Sequence, residues 1–438
     1  MRGPRIPLSA AREIAGGMGG ADADARAALQ LGLRPNLRQF ALLVLVNAFV
    51  GAVVGCERAI VPLLGERVFA VASSAAVLSF VATFGAAKAV TNLFAGPWSD
   101  RVGRRRVLIA GWLVGLPVPF LVILAPPPHW WIVVAANVLL GVNQGLCWSM
   151  TVVSKIDLVG PARRGFALGL NEFAGYLAVG AAAFVTAYLA SVYGLRPVPF
   201  LFMFGATAAG LALSIAWVRE TLPFARLEAT QAGGASEALT LRLAFATGSY
   251  RDRTLMSCSQ AGLVNNLNDG IVWGLVPLML VAAGADLALV GLLVALYPVT
   301  WGLSQLITGA ASDRLGRKRL IVGGMLLQGA SIALLAYGSG PPAWAAAMVG
   351  LGLGTAAVYP TLLSTVGDVA PPAQRAALVG VYRFWRDAGY PVGALIGGLI
   401  ADAAGIGASL IAIAAVTGFS GIVFGAVARE TLPDKQKA

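Results

Sequence analysis

From Gln39 almost to the end of the chain, twelve apolar segments follow one another, each near the span of about 17–25 residues that crosses a bilayer. Their centres fall near Ala52, Thr83, Pro117, Leu140, Val179, Thr207, Asn268, Leu296, Leu327, Met348, Val392 and Ala415. In hydrocarbon a backbone must satisfy its own hydrogen bonds, which leaves helices or closed barrels. Short alternating barrel strands would not produce unbroken runs of this length. The chain therefore reads as an all-α polytopic membrane protein. Composition agrees: 58 % hydrophobic against 12 % charged residues, and 54 glycines of the kind that let membrane helices approach closely.

The net charge of +12 does not imply a nucleic-acid partner, because the basic residues sit between apolar segments rather than along one face. If both termini lie on the cytoplasmic side, cytoplasmic segments hold 26 of the 32 lysines and arginines and the external connections only Arg67 and Arg196. That imbalance follows the positive-inside rule. Residues 1–39 show no cleavage signature and read as a cytoplasmic segment rather than a signal peptide. The expected layout is an N-terminal bundle over 40–218, a cytoplasmic linker over 219–253, a C-terminal bundle over 254–428 and a tail over 429–438.

The sequence repeats itself at one offset. Gly96-Pro97-Trp98-Ser99-Asp100-Arg101-Val102-Gly103-Arg104-Arg105-Arg106 returns as Gly309-Ala310-Ala311-Ser312-Asp313-Arg314-Leu315-Gly316-Arg317-Lys318-Arg319. Arg219-Glu220-Thr221-Leu222-Pro223 returns as Arg429-Glu430-Thr431-Leu432-Pro433, and Asp157 has its counterpart in Asp368. Two tandem six-helix bundles of like orientation follow, related by an axis along the membrane normal with a cavity between them.

The doubled loop resembles the signature loop of the major facilitator superfamily, found between helices two and three and again between eight and nine. The resemblance covers roughly residues 39–430 and implies a transporter of twelve helices. It implies that Asp100 faces the start of the eleventh span near Ala373 and Asp313 the start of the fifth near Ala162. It also pairs Arg104 with Asp157 and Arg317 with Asp368. The chain departs from the family's frequent leucine at Trp98 and Ala311. Gly96, Asp100, Arg101, Gly103, Arg104 and Asp157, with Gly309, Asp313, Arg314, Gly316, Arg317 and Asp368, are the expected gating residues.

Charges inside apolar spans are costly and should face a partner or a wet cavity. They are Glu57 and Arg58, Lys88, Glu172, Asp269 beside Asn265, Asn266 and Asn268, and Arg383, Arg386 and Asp387. In the resembling family these spans line or flank the central cavity. Asp269 has no adjacent base and is, with Glu57 and then Glu172 and Asp387, the expected coupling or substrate-contact carboxylate. Its natural counter-charge is a proton or a cationic substrate group. Its asparagine neighbours are expected to bond it, and pairing across the seam with Arg58 is the structural alternative. Arg383 and Asp387, four apart, can pair locally. Glu57 can neutralise Arg58 or Lys88 or sit in water at the outer rim, and Lys88 can snorkel to the cytoplasmic face. Asn143, Gln144, Trp148 and Tyr359 are expected cavity linings.

No nucleotide-binding loop is present, and the single histidine, His129, gives no multi-histidine metal site. Cys56, Cys147 and Cys258 make no disulfide framework. The expected protein is no enzyme, holds no cofactor or metal and acts as a monomer among membrane lipids. It moves a small-molecule substrate across a bacterial inner membrane by secondary transport. Proton-coupled efflux by antiport is the first reading, and uptake of a small anion, zwitterion or nutrient by symport or uniport, or ligand sensing without transport, are the alternatives.

Overall fold

The computed structural model describes residues 29–160, 164–231, 240–371 and 374–432. Among these, twelve helical rods occur in the order of the apolar segments. In the first half they are α1 (Leu37–Arg58, prolonged by a short helix Val61–Arg67), α2 (Ser74–Val102), α3 (Arg104–Gly115, prolonged by Val118–Leu124), α4 (Trp130–Val159), α5 (Arg164–Tyr193) and α6 (Val198–Ala216). In the second they are α7 (Arg253–Ala282), α8 (Leu287–Leu315), α9 (Arg317–Tyr337), α10 (Pro341–Val369), α11 (Arg375–Ala404) and α12 (Ile406–Val427). Ten rods are long and apolar enough to cross a membrane. The other two long rods are α7 and α11, whose polar residues lower their hydropathy: Asn265, Asn266, Asn268 and Asp269 on one, Arg383, Arg386 and Asp387 on the other.

Local chemistry sets the ends. Ser73, Asp252 and Asp286 cap α2, α7 and α8, each side chain accepting from a backbone N–H three residues on. Proline occupies the first turn of α6 and α10, where its missing N–H costs nothing. Gly103 and Gly316 end α2 and α8 at φ of +103° and +99°, a region that a side chain would strain. The stretch between the halves carries two short helices, Leu222–Gln231 and Leu241–Ala246, and residues 232–239 of the expected linker lie outside the described residues, as do 1–28 and 433–438.

The doubled loops fold alike. Arg104 Nε lies 3.3 Å from Asp157 on α4, and its Nη1 donates to Ser99 and to Asp100. Arg317 Nε lies 3.1 Å from Asp368 on α10 and its Nη1 donates to Ser312. Past the sixth rod of each half, Glu220 accepts the backbone N–H groups of Arg104 and Arg105 at 2.8 and 3.2 Å, and Glu430 those of Arg317 and Lys318 at 3.0 and 3.1 Å. Each glutamate thus caps the third rod of its half, where free N–H groups and the helix dipole favour an anion. Burial raises the Glu430 pKa, yet its backbone N–H donors outweigh this and hold it below the usual value. Thr221 and Thr431 complete the copies by donating to Asp157 and Asp368.

The halves meet along two antiparallel helix pairs, α2 on α11 and α5 on α8. At the end opposite the doubled loops, a Cβ on Gly398 would stand 2.5 Å from the Ala75 Cα, and one on Gly274 2.7 Å from Leu78. Contact continues through Gly85 on Tyr390 and Pro391 and down to Asn92 on Asp387. On the second seam it runs through Gly291 on Ala187 to Tyr176, whose ring stacks on Trp301 at 3.5 Å. Beyond that level the described residues separate. Gly96, Gly169 and Gly380 have nothing described within 4 Å of where a Cβ would stand, and the Asp100 side chain is 63 % exposed. Among the described residues the cleft is closed at the end opposite the doubled loops and open at the end that carries them. Asp100 accordingly bonds Arg104 of its own half instead of the start of α11; Ala373, Ala162 and the Asp313 side chain lie outside the described residues.

Candidate functional site

At mid-depth, where the seams are still closed, the intramembrane charges gather among aromatic rings. Asp269 is fully buried and accepts from Tyr297 on α8 and, at 3.4 Å, from Tyr390 on α11. Its asparagine neighbours are engaged elsewhere. Asn265 and Asn268 bond Gln328 on α9 at 3.0 and 2.9 Å, Asn268 also takes Thr417 on α12 at 2.7 Å, and Asn266 donates to Asp387 at 3.3 Å. The expected asparagine shell is corrected to a tyrosine one, because the amides on α7 turn toward α9, α11 and α12.

Arg58 ends α1 one per cent exposed, its guanidinium carbon 4.0 Å from the Trp273 ring centroid and 4.7 Å from that of Phe84. None of its three nitrogens has a hydrogen-bond partner. Ring faces hold this cation, an arrangement worth about 2 kcal/mol or more when desolvated, while the fields of Glu57 and Asp269 supply negative charge. Glu57 is also wholly buried, so the outer-rim alternative fails, and among the described residues no ion pair joins it to Lys88; neither of its oxygens has a hydrogen-bond partner.

Lys88 stays in the centre and does not snorkel. It is 8 % exposed, and its ammonium lies 5.3 Å from the Tyr390 ring centroid and 5.7 Å from those of Phe84 and Trp148. Among the described residues no carboxylate lies within ion-pair distance of it. Asp387, by contrast, is saturated: Arg386 reaches it at 2.6 and 2.8 Å, and Asn266 and Asn92 donate to it. Its local partner is thus Arg386 and not Arg383, whose buried Nε has no partner. Arg386 also donates to Tyr359 at 2.7 Å. Glu172 accepts from Trp148 at 2.9 Å and Asn171 at 3.0 Å through one oxygen; the other is buried and unmatched.

Asn143 and Gln144 bond backbone carbonyls of Gly111 and Val50 and so fasten α4 to α3 and α1 instead of lining the cleft. Trp148 and Tyr359 do face the cluster.

With this geometry in place, comparison is informative. The sequence profile of the Major Facilitator Superfamily matches residues 40–258 and 258–438, nearly the whole chain. The chain belongs to that superfamily. Among curated relatives, the multidrug resistance protein MdtH of Aeromonas hydrophila is 34 % identical over 108 residues, and that of Aeromonas salmonicida 33 % over 109. The chain spans only about a quarter of the length of these relatives, 27 % and 28 %, using 25 % of its own. Solved structures show the fold over far more of the chain. The human organic anion transporter MFSD10 (TETRAN) has a TM-score of 0.67 at 17 % identity, covering 89 % of this chain and 99 % of that one. The nucleoside transporter NupG gives 0.68 at 15 %, covering 88 % and 99 %. A POT family transporter in complex with 5-aminolevulinic acid gives 0.70 at 12 %, covering 88 % and 95 %. At such identities these likenesses carry the fold alone.

This superfamily member holds a further buried cation that counting by segments places in a connection. Lys155 is fully buried on α4 and donates to the Leu43 carbonyl at 3.0 Å. Its helical phase was the available signal: Gln144, Trp148, Thr151 and Lys155 form one stripe, and each bonds α1 or α5. Tyr297, Tyr390, Trp273 and Phe84 were not separable from ordinary packing aromatics, since their partners lie on other helices.

If Arg58 and Asp269 are counter-charges, losing one should hurt more than losing both. Arg58→Met is expected to lower the thermal unfolding midpoint further than Arg58→Met with Asp269→Asn, a coupling of about 1–3 kcal/mol. Additive losses would disprove the pairing.

Proposed function

We propose that this multi-pass transporter exports a small amphipathic organic anion from a bacterial cell in exchange for protons, by alternating access. The observation that carries the substrate class is the position of Lys88. Asp387 is bonded by Arg386, Asn266 and Asn92, and Asp269 and Glu172 by two donors each. Lys88 faces ring surfaces without a carboxylate partner, at the level where the cleft narrows. A ligand that supplies an anionic acceptor to Lys88 and flat apolar surface to Trp148, Tyr176 and Tyr390 satisfies both demands. The likeness to the multidrug resistance protein MdtH supports export.

Tyr390 joins that site to a coupling carboxylate. Its hydroxyl bonds Asp269 while its ring lies against Lys88 and packs on Gly85 in the seam. Protonating Asp269 removes the negative charge that offsets Arg58 and alters the acceptor that orients Tyr390. Substrate occupancy and proton occupancy are thereby linked through one side chain. The doubled loops, with Asp100, Arg104, Asp157, Arg317 and Asp368, act as the inner gate, and two bundles divided near 219–253 move as the working units. The chain works as a monomer in the inner membrane, with the basic end and both termini cytoplasmic.

Three measurements test these assignments. Purified protein should bind 1-naphthalenesulfonate more tightly than the neutral sulfonamide or 1-naphthylmethylammonium. Lys88→Gln should weaken the sulfonate about tenfold to a hundredfold while sparing the sulfonamide, since a charged hydrogen bond is worth about 1.5–3 kcal/mol. Preference for the ammonium would sink the anion reading. In proteoliposomes, Asp269→Asn should abolish sulfonate movement driven by a pH gradient but keep exchange of labelled sulfonate at equal pH. Wild-type rates in both assays would remove Asp269 from coupling, and binding without any flux would make the protein a receptor. Finally, a cysteine at Val102 should react with an impermeant maleimide in inverted vesicles and not in intact cells. The three native cysteines are buried and leave a quiet background; labelling from outside would reverse the topology.

A further inference from the structure

The α2–α11 seam ends at the outer face in a contact that neither the doubled loops nor the central charges explain. Asp402 on α11 accepts from the Ser73 hydroxyl at 2.6 Å, the Ser74 backbone N–H at 2.5 Å and the Ala75 backbone N–H at 3.2 Å. These are the N-cap side chain and the first two helical N–H groups of α2, which belongs to the other half. Helix N-termini carry unmatched donors and partial positive charge, so a carboxylate there is a cap. Here the cap comes from across the seam, at the end where the halves are closed.

Its position mirrors Asp100. Asp402 stands two residues before the end of α11 at Ala404, and Asp100 two before the end of α2 at Val102. Each helix then stops at a glycine of positive φ, Gly405 at +89° and Gly103 at +103°. The two helices are antiparallel, and Ser73 on Asp402, Gly85 on Tyr390 and Asn92 on Asp387 fix their register. Continued inward, that register sets Asp100 level with the first turn of α11. Each helix of the pair thus carries an acid beside its own C-terminus that is aligned with its partner's N-terminus. The outer cap is made in this structure, whereas the Asp100 side chain is 63 % exposed. On the second seam the last turn of α5 carries no acid to reach α8, which is capped by its own Asp286.

We propose that Asp402 is a positioning residue of the transport cycle: it caps α2 across the halves when the outer gate is shut, and its release accompanies outer opening. This rests on the alternating-access reading given above. The inner and outer gates of one helix pair then work by the same reciprocal chemistry, and the cap at one end forms as that at the other breaks.

The test uses the full chain in lipid nanodiscs with spin labels on exposed sites away from the contact. One pair, Ser191→Cys with Ala283→Cys, reports the outer end; a second, Arg106→Cys with Arg319→Cys, reports the inner end. Asp402→Ala should raise the outer-open to outer-closed ratio about two- to thirtyfold, the range expected for a lost N-cap. Ser73→Ala, which removes the partner hydroxyl from the other half, should shift it the same way. Asp100→Ala should shift the inner pair in the opposite sense, and the double Asp100→Ala/Asp402→Ala variant should return toward the starting ratio. If wild type shows two populations and Asp402→Ala and Ser73→Ala both leave their ratio unchanged, the cap assignment falls while alternating access stands. One fixed distance at each end, with and without 1-naphthalenesulfonate, would overturn both.

Discussion

Close backbone approach at small residues is the constraint on which the molecule depends. Only two helix pairs carry most of the contact between halves, and both rely on positions without a side chain, such as Gly398 against Ala75 and Gly291 against Ala187. In lipid the hydrophobic effect does not drive helices together, so dispersion over such seams must. A seam of this kind is tight yet weakly toothed. Few polar contacts tie it, Asn92 to Asp387 at mid-depth and Ser73 to Asp402 at one end, while networks such as Gln328 with Asn265 and Asn268 lie within a half.

At mid-depth a polar contact crosses the seam from Asn92 to Asp387, beside the tyrosine shell of Asp269 within the second half, so that side chains of several helices share one small volume. The cations there rest largely on ring faces: Arg58 between Trp273 and Phe84, Lys88 among Tyr390, Phe84 and Trp148. A face attracts a cation without consuming a carboxylate. Apart from the Arg386–Asp387 pair, acids and cations thus share the membrane centre without collapsing into neutral pairs, and Lys88 remains electrostatically available.

The sequence was most readable where its constraints are local or repeated. Length and hydropathy place the twelve rods. The fixed offset identifies two like halves, and the loop chemistry anticipates the arrangement in which Arg104 meets Asp157 and Arg317 meets Asp368. Inside the membrane, spacing alone misleads. Arg383 and Asp387 share a helix face, yet Arg386 is drawn to Asp387 because Tyr359 fixes its other nitrogen. The three asparagines adjoin Asp269 in the chain and point elsewhere, since a helix turns about 100° per residue. Lys155 looked like loop charge because it stands close to Asp157, which does mark the helix end. Each of these depends on which neighbouring helix lies opposite, and that information is not local.

The glutamates past the sixth and twelfth rods give each half a clasp. Glu220 and Glu430 return the last strand of their bundle to the start of its third helix, and Thr221 and Thr431 tie the same point to the fourth. Each bundle is therefore closed on itself before the connecting stretch begins. As an engineering matter, the two halves form natural pieces for co-expression as separate polypeptides, provided the first keeps its residues through Pro223. A fusion partner belongs beyond Leu432, while a trim that reaches Glu430 would unfasten α9 from within.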